Sequence, residues 1–336
     1  MPDASHATSA APSTWRRILL PLIKLLIGGG LIVLLFHRLH IHWSDFTETL
    51  TNLSAKPVWL IATLLLVLAC LLCGAGRWWT ALRGMGVQLS RTRAAALFMI
   101  GHFFNGFLPG STGGDVARAF YVARETHGPR APAVMSIIVE RLAGIAVLLI
   151  LTLIGLLTAA DYGQLPLLLA LVGVLASAIL VVLVGLPDLP RMSRWPLIRL
   201  LVHHPLINPV AHKMYDALRL CHAQPLLIIR LFGWSLLQHL FAMVSWLTLI
   251  WGLGFHVQTV TLLLLVPAVL TAQMIPITPG GLGIREGAAV ALLPAAGLAP
   301  HAAVVVALAS FVVSLVWSAA GGLVFVLLRE HRKPHA

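Results

Sequence analysis

The sequence predicts an all-α polytopic membrane protein with about six full transmembrane helices and two opposed re-entrant helical hairpins in an inverted repeat. Three observations predict this fold. Of the 336 residues, 59% are hydrophobic and 10% are charged, whereas soluble domains carry about 25% charged residues. Several apolar runs are long enough to cross a bilayer. Two further runs are short, and both end at a cluster of proline and glycine.

The formal net charge of +12 does not indicate a nucleic-acid-binding protein. The lysines and arginines are spread over short segments between apolar runs and form no basic face. A preference for positive charge on the cytoplasmic side explains them better, and attraction to anionic lipid headgroups is a second benefit. No metal or cofactor motif occurs, so we expect neither a metal nor a cofactor.

One transmembrane domain is expected over residues 15–330, between a disordered polar tail at 1–14 and a C-terminal tail at 331–336. The run at 18–36 contains Gly28, Gly29 and Gly30 and has no cleavage site, so it is interpreted as a retained first span and not as a signal peptide. The six predicted spans are 18–36, 58–76, 134–159, 165–185, 226–253 and 302–328.

Positive charge sets the predicted orientation. The second span is followed by a segment that carries Arg77, Arg83, Arg91 and Arg93, and this segment is therefore assigned to the cytoplasm. The last span is followed by further basic residues, so both termini are expected in the cytoplasm and the protein in the cytoplasmic (inner) membrane. The loop at 186–225 is also predicted to be cytoplasmic. It contains an expected interfacial helix, one face of which carries Val210, Met214, Ala217, Leu218 and Cys221.

The two short apolar runs predict re-entrant hairpins at residues 94–124 and 261–298. Their first arms, 94–108 and 261–275, measure about 22 Å as helix, against a hydrocarbon core of about 30 Å. If the first arm crossed the membrane, Arg118, Arg124 and Arg130 would lie outside, against the charge rule. The first hairpin is expected to enter from the cytoplasm and the second from the outer face. Broken backbone is tolerated at this depth only beside protein or a water-filled cavity, so the tips predict a polar cavity.

An anion site is predicted where the second arm of each hairpin begins. A helix that begins at such glycines presents free N–H groups, which bind phosphate or carboxylate. Arg118 and Arg285 add full charges, each at an insertion cost of about 2.5 to 3.5 kcal/mol. The tip glycines are Gly113 and Gly114 in the first hairpin and Gly280, Gly281 and Gly283 in the second.

The charges at the two tips have a second interpretation, in which they only neutralise one another. Asp115 and Arg118 are spaced to pair along one helix. Arg285 and Glu286 are adjacent, so each is expected to need another partner. Our hypothesis is that Arg118 pairs with Glu286, and Arg285 with Asp115, across the hairpins. An incoming anionic headgroup would loosen both pairs.

Other polar residues in apolar surroundings are weaker candidates. Glu140 and Arg141 open the third span, and they either belong to the polar path or simply end a helix at the interface; both alternatives stay open. A further group is expected to form hydrogen bonds between helices more often than to bind a ligand. This group consists of His102, Asn105, Gln238, His239 and Gln273. The candidate substrate-binding residues are Asn105, Gly113, Gly114, Asp115, Arg118, Glu140, Arg141, Gly280, Gly281, Gly283, Arg285 and Glu286.

Three ordered motifs resemble those of a known family. They are N-x-x-x-P-x-x-x-G-G-D-x-x-R from Asn105 to Arg118, V-E-R-L from Val139 to Leu142, and P-G-G-x-G-x-x-E from Pro279 to Glu286. This pattern resembles the flippase-like family built around the membrane region of lysylphosphatidylglycerol synthase. The chain ends just after its last predicted span, so we expect a stand-alone membrane domain without the soluble synthase domain. The resemblance implies translocation of a lipid, or of a lipid-linked headgroup, across the cytoplasmic membrane.

Three functions are weighed. The first is a translocator that passes an anionic or phosphate-bearing lipid headgroup through a midplane cavity. The second is an intramembrane transferase that modifies lipids, although no D-x-D pair, H-E-x-x-H motif or nucleophile elbow occurs. The third is a non-catalytic accessory subunit of a lipid-synthesis complex. The expected partners are membrane lipids and not nucleic acid, and homo-oligomerisation is left open.

Overall fold

A computed structural model of the chain describes residues 29–39, 56–107, 113–126, 130–158, 223–275 and 278–330, and the single residues 26, 51 and 219. This part of the chain contains helices and no strand. The short helix α1 is Gly29–Arg38. The others are α2 Pro57–Gly84, α3 Arg91–Phe107, α4 Gly113–Glu125, α5 Arg130–Thr158, α6 Pro225–Gly252, α7 Thr259–Gln273, α8 Ile284–Leu292 and α9 Pro300–Glu330. The predicted tails, the span at 165–185 and the interfacial helix lie outside these ranges.

Four helices are long and apolar enough to cross a membrane, by length and composition. They are α2, α5, α6 and α9, and they coincide with four of the six predicted spans. The all-helical fold is therefore confirmed for the described residues. Helices α2 and α6 each begin with a proline in the first turn, a position that needs no N–H donor and suits the fixed φ of proline.

The predicted end of the second span is wrong. Helix α2 does not stop at residue 76 but continues to Gly84, and the chain turns at Gly86, which has a φ of 76°. Trp78, Ala81 and Leu82 are fully buried in this added length, so apolar packing continues past the charged residue before them. Arg77 therefore lies within the helix and not in a loop.

Helices α2 and α6 pack against each other in antiparallel directions. Near the C-terminal end of α2, Arg77 Nη1 donates to Ser235 Oγ at 3.1 Å. Near its N-terminal end, the hydroxyl oxygens of Thr63 and Thr248 lie 2.9 Å apart. Residue numbers therefore rise along α2 in the direction in which they fall along α6, as expected for antiparallel helices.

Two antiparallel helical hairpins follow these helices. In the first, formed by α3 and α4, the Gly114 N–H donates to Asn105 Oδ1 at 2.7 Å near the tip, and Arg93 pairs with Glu125 at the open end. In the second, formed by α7 and α8, the Gln258 N–H donates to the Ala296 carbonyl at 2.9 Å at the open end. Each hairpin therefore brings its two ends together.

The hairpins pack against the opposite half of the chain. Helix α3 lies mainly against α9, and α7 lies mainly against α5. A Cβ on Gly321 of α9 would overlap the carbonyl oxygen of Met99, and one on Gly155 of α5 would overlap that of Leu264. A close backbone approach of this kind thus occurs between each hairpin and a long helix of the other half. These contacts between the halves hold the two hairpins around one central space.

Candidate functional site

A cavity of about 370 Å³ lies between the two hairpins and the long helices around them. The first hairpin contributes His102, Asn105 and Arg118 to its wall. The second contributes Gln273, Gly280 and Arg285. Among the described residues, four arginines line the cavity, and these are Arg77, Arg118, Arg141 and Arg285.

Glu140 is the central acceptor of a buried ion network. Its Oε1 accepts from Arg77 Nε at 2.9 Å and also from Arg77 Nη2, and its Oε2 accepts from Arg118 Nη2 at 3.2 Å. Glu140 is 2% exposed and Arg77 is 6% exposed. The geometry excludes the interpretation of Glu140 as a residue that ends a helix at the interface, because its carboxylate lies in the interior.

Asp115 extends the network to a third arginine. Its Oδ1 accepts from Arg118 Nη2, and its Oδ2 lies 2.5 Å from Arg141 Nε. The resulting series is Arg77, Glu140, Arg118, Asp115 and Arg141. Among the described residues, this series therefore joins three arginines through two shared carboxylates.

Within this network, Arg118 keeps a donor nitrogen that no acceptor in the described part of the chain uses. Arg118 is 4% exposed, and its Nη1 is buried without a hydrogen-bond partner in the described part of the chain. Its guanidinium carbon lies 5.0 Å from the ring centroid of Trp78 and 4.9 Å from that of Phe98. A buried N–H without an acceptor is unfavourable in free energy, so this nitrogen is suited to an oxygen supplied by a ligand.

The second hairpin forms its own closed ion pair, and the hypothesis of pairs across the hairpins is wrong. Arg285 Nη2 donates to Glu286 Oε1 at 2.5 Å, whereas Arg118 pairs with Asp115 and Glu140. The reason is the cap of α8: Glu286 Oε2 folds back to accept the Gly283 N–H at 2.6 Å, and this brings Oε1 to its neighbour's guanidinium. The two residues are adjacent, yet they do contact each other.

Several glycine N–H groups at the tips, which were expected to face an anion, already donate to acceptors within the protein. The Gly114 N–H donates to Asn105, the Gly283 N–H to Glu286 and the Gly281 N–H to the Thr278 carbonyl at 3.3 Å. The arginine side chains are thus the main donors at the cavity wall. The predicted residues that line the wall are Asn105, Arg118, Glu140, Arg141, Gly280 and Arg285; Gly113, Gly114, Asp115, Gly281, Gly283 and Glu286 are not among its lining residues.

The weaker polar candidates all line the cavity as well. His239 Nε2 donates to the Gly144 carbonyl at 3.0 Å, which is the expected bond between helices. Gln273 Nε2 donates to the Gly280 carbonyl at 3.4 Å, within the second hairpin. His102 Nε2 and Gln238 Oε1 are buried and have no hydrogen-bond partner among the described residues. These two atoms add polar groups that a ligand can satisfy.

Arg77 is the site residue that sequence reasoning missed. It was assigned to a cytoplasmic loop because three further arginines follow it within the next sixteen residues. The available signal was the apolar sequence after it, because Trp78, Trp79, Ala81 and Leu82 continue the helical pattern without a break until Gly84. The structure also explains Gly144: a Cβ there would lie 2.6 Å from Arg77 Nη1.

These features define a polytopic α-helical membrane protein with a charged internal cavity between two helical hairpins. Its family follows from a profile described as the lysylphosphatidylglycerol synthase TM region, which matches residues 22–322; the chain belongs to this family. The resemblance inferred from the three motifs is thereby confirmed. Comparison with curated proteins and with solved structures finds no match.

Proposed function

We propose that this protein translocates a lipid, or a lipid-linked anionic headgroup, across the cytoplasmic membrane through the cavity between its hairpins. The observation that carries the proposal is the state of Arg118. It is buried in a network of arginines and carboxylates, and its Nη1 has no acceptor in the described part of the chain. A phosphate oxygen would supply the missing acceptor through a charge-assisted hydrogen bond.

The proposed topology has six spans, two hairpins that re-enter from opposite faces and both termini in the cytoplasm. Its support is length and charge. Helices α3 and α7 have 17 and 15 residues, or about 25 and 22 Å, less than a hydrocarbon core of about 30 Å. Arg91, Arg93 and Arg124 gather at the open end of the first hairpin, which favours the cytoplasmic side. Opposed broken segments are the layout of many secondary transporters.

The proposed mechanism uses each ion pair differently. The headgroup phosphate binds at Arg118 and Arg141 and competes with Asp115 for both, so binding loosens the contact between α4 and α5. Arg285 is held by Glu286 and packs 5.5 Å from the Phe311 ring centroid. As the phosphate crosses the cavity, Arg285 exchanges Glu286 for it. The acyl chains remain in the surrounding lipid, so only the headgroup needs a polar path.

The test is translocation by purified protein in vesicles that contain fluorescent phosphatidylglycerol, with accessibility of the label to an impermeant reductant as the readout. We expect Arg118→Gln to slow translocation at least about tenfold, because a hydrogen bond to a charged group contributes about 1.5 to 3 kcal/mol. Arg118→Gln combined with Arg285→Gln should abolish it. Full retention of translocation by the double variant overturns the proposal.

The matched control is Arg230→Gln, which removes an exposed arginine of α6 that does not line the cavity. It should translocate lipid as the unchanged protein does. The same vesicles distinguish the alternatives. A chemically altered lipid, seen by chromatography, would indicate a transferase, and an absence of translocation by the unchanged, folded protein would favour the accessory role.

A further inference from the structure

A second groove lies outside the cavity, between the first hairpin and the C-terminal part of α9. Its volume is about 330 Å³. The rings of Phe120, Tyr121 and Phe325 form much of its wall, and Arg93 and Arg124 lie at its charged end. This groove shares no lining residue with the central cavity, so a ligand here does not occupy the proposed translocation path.

The exposed face of α4 changes from apolar to cationic along its length. Val116 is 69% exposed and Phe120 is 50% exposed, and Arg124 is exposed one turn further on. The three residues are spaced by four and therefore share one helix face. From Val116 to Arg124 the helix rises about 12 Å. A phospholipid has the same order, with acyl chains at the deeper end and phosphate at the other.

The charged end of the groove holds donors that the protein leaves available. Arg93 binds Glu125 through two nitrogens, at 2.7 Å and 2.6 Å, so this carboxylate is engaged. The Arg124 guanidinium lies 4.4 Å from the ring centroid of Phe120. In the described residues, neither this guanidinium nor the Tyr121 hydroxyl forms a hydrogen bond or an ion pair. Both groups can donate to one phosphate without breaking an existing contact.

We propose that this groove binds an anionic phospholipid, whose phosphate contacts Arg124 and Tyr121 and whose acyl chain lies against Phe120 and Phe325. Charge selects the lipid, because the ammonium group of a zwitterionic headgroup would lie close to Arg93 and Arg124. The lipid joins both arms of the first hairpin to α9, so it steadies the hairpin at its open end. The proposal does not depend on the function of the cavity.

The test is retention of lipid by the full chain, measured by native mass spectrometry after titration with phosphatidylglycerol or with phosphatidylcholine. The unchanged protein should retain phosphatidylglycerol in preference. Arg124→Gln should weaken this retention about tenfold, as expected for the loss of a charge-assisted hydrogen bond. Arg230→Gln is the matched control, since Arg230 is also an exposed arginine near one helix end, and it should change nothing.

Two results overturn the proposal: equal retention of both lipids by the unchanged protein, or equal retention of phosphatidylglycerol by Arg124→Gln and Arg230→Gln. A second variant tests the shape of the site. Leu328→Trp places a large ring in the groove and leaves every charge in place, so retention should fall here too; unchanged retention places the lipid elsewhere and also overturns the proposal. Arg118→Gln should leave the groove lipid bound, which separates this site from the cavity.

Discussion

Glu140 shows at the scale of a single residue why this cavity keeps its charges. One carboxylate serves both Arg77 and Arg118, and all three residues are at most 6% exposed. Burial of a charge is unfavourable unless a partner of opposite sign is held in good geometry. Glu140 therefore helps to hold two arginines in the interior, where both line the cavity.

The first prediction concerns Glu140→Gln. This substitution leaves two buried guanidinium groups without their shared carboxylate, and breaking a buried pair in this way lowers the free energy of unfolding by about 3 to 5 kcal/mol. Thermal unfolding of the purified protein in detergent measures the loss. Arg230→Gln, at an exposed position, should stay within about 0.5 kcal/mol of the unchanged protein. Equal stability of the two variants would show that the network is dispensable for folding.

The sequence was sufficient to identify most of the charged residues and the local pair of Asp115 with Arg118, but not the other partners. Asp115, Arg118, Arg285 and Glu286 stood out because charges are rare in apolar segments. Their pairing depended on the path of the backbone, since the cap at Gly283 directs Glu286 toward its neighbour and α5 brings Glu140 to Arg118. Neither effect is visible in residue spacing, so pairs across the hairpins were a reasonable and wrong expectation.

Among the individual elements, the first hairpin depends on close contact between its arms. Gly114 lies where the backbone of α4 crosses that of α3, and an added Cβ would overlap the Gly101 carbonyl oxygen and approach the Asn105 side chain to 2.7 Å. Backbone atoms at such a crossing cannot move aside as a flexible side chain can. The close approach also allows the bond between Asn105 and the Gly114 N–H.

The second prediction compares two glycine substitutions. Gly114→Ala should separate the arms of the hairpin, lower the melting temperature and reduce lipid translocation. Gly287→Ala, in α8, adds a methyl group where no atom lies within 4 Å, so it should stabilise the protein by about 0.5 to 1 kcal/mol through helix propensity alone. Melting temperatures in one detergent provide the comparison. A Gly114→Ala variant as stable as Gly287→Ala would contradict the close packing.

The element boundaries were predictable where glycine and proline mark them and less so elsewhere. The described helices end and begin beside both predicted clusters, and α5, α6 and α9 begin within a few residues of the predicted spans. The end of α2 was missed because a charged residue was taken as the end of the helix. Buried charge with local partners does not interrupt a helix, and only packing reveals those partners.

For the whole molecule, the main organising feature is that helices of one half pack against helices of the other half. Helix α2 packs on α6, α3 on α9, and α5 on α7. Each hairpin is thus supported by helices from both halves, and residues of both hairpins line one cavity. A shift of either hairpin necessarily changes contacts in both halves. The sequence suggested the repeat through its two similar breaks, but these contacts between distant segments could be learned only from the structure.

The third prediction tests the proposed membrane topology with an impermeant maleimide, in a background of Cys70→Ala, Cys73→Ala and Cys221→Ala. Ser90→Cys and Thr126→Cys flank the first hairpin and should react from the cytoplasmic side. Gln258→Cys and Ala299→Cys flank the second and should react from the other side. The reason is that each hairpin returns to the face from which it enters. Labelling of the two ends of one hairpin from opposite faces would refute re-entry.

The packing of each half against the other also has a consequence for biogenesis. The ribosome releases α2, α3 and α5 long before it has synthesised α6, α7 and α9, the helices against which they pack. The nascent first half must therefore wait in the membrane with its polar side chains incompletely shielded. Assembly becomes complete only when the final helix is inserted, so a chain truncated before α9 should be recognised by membrane proteases and degraded, and separately expressed halves should accumulate only when both are present.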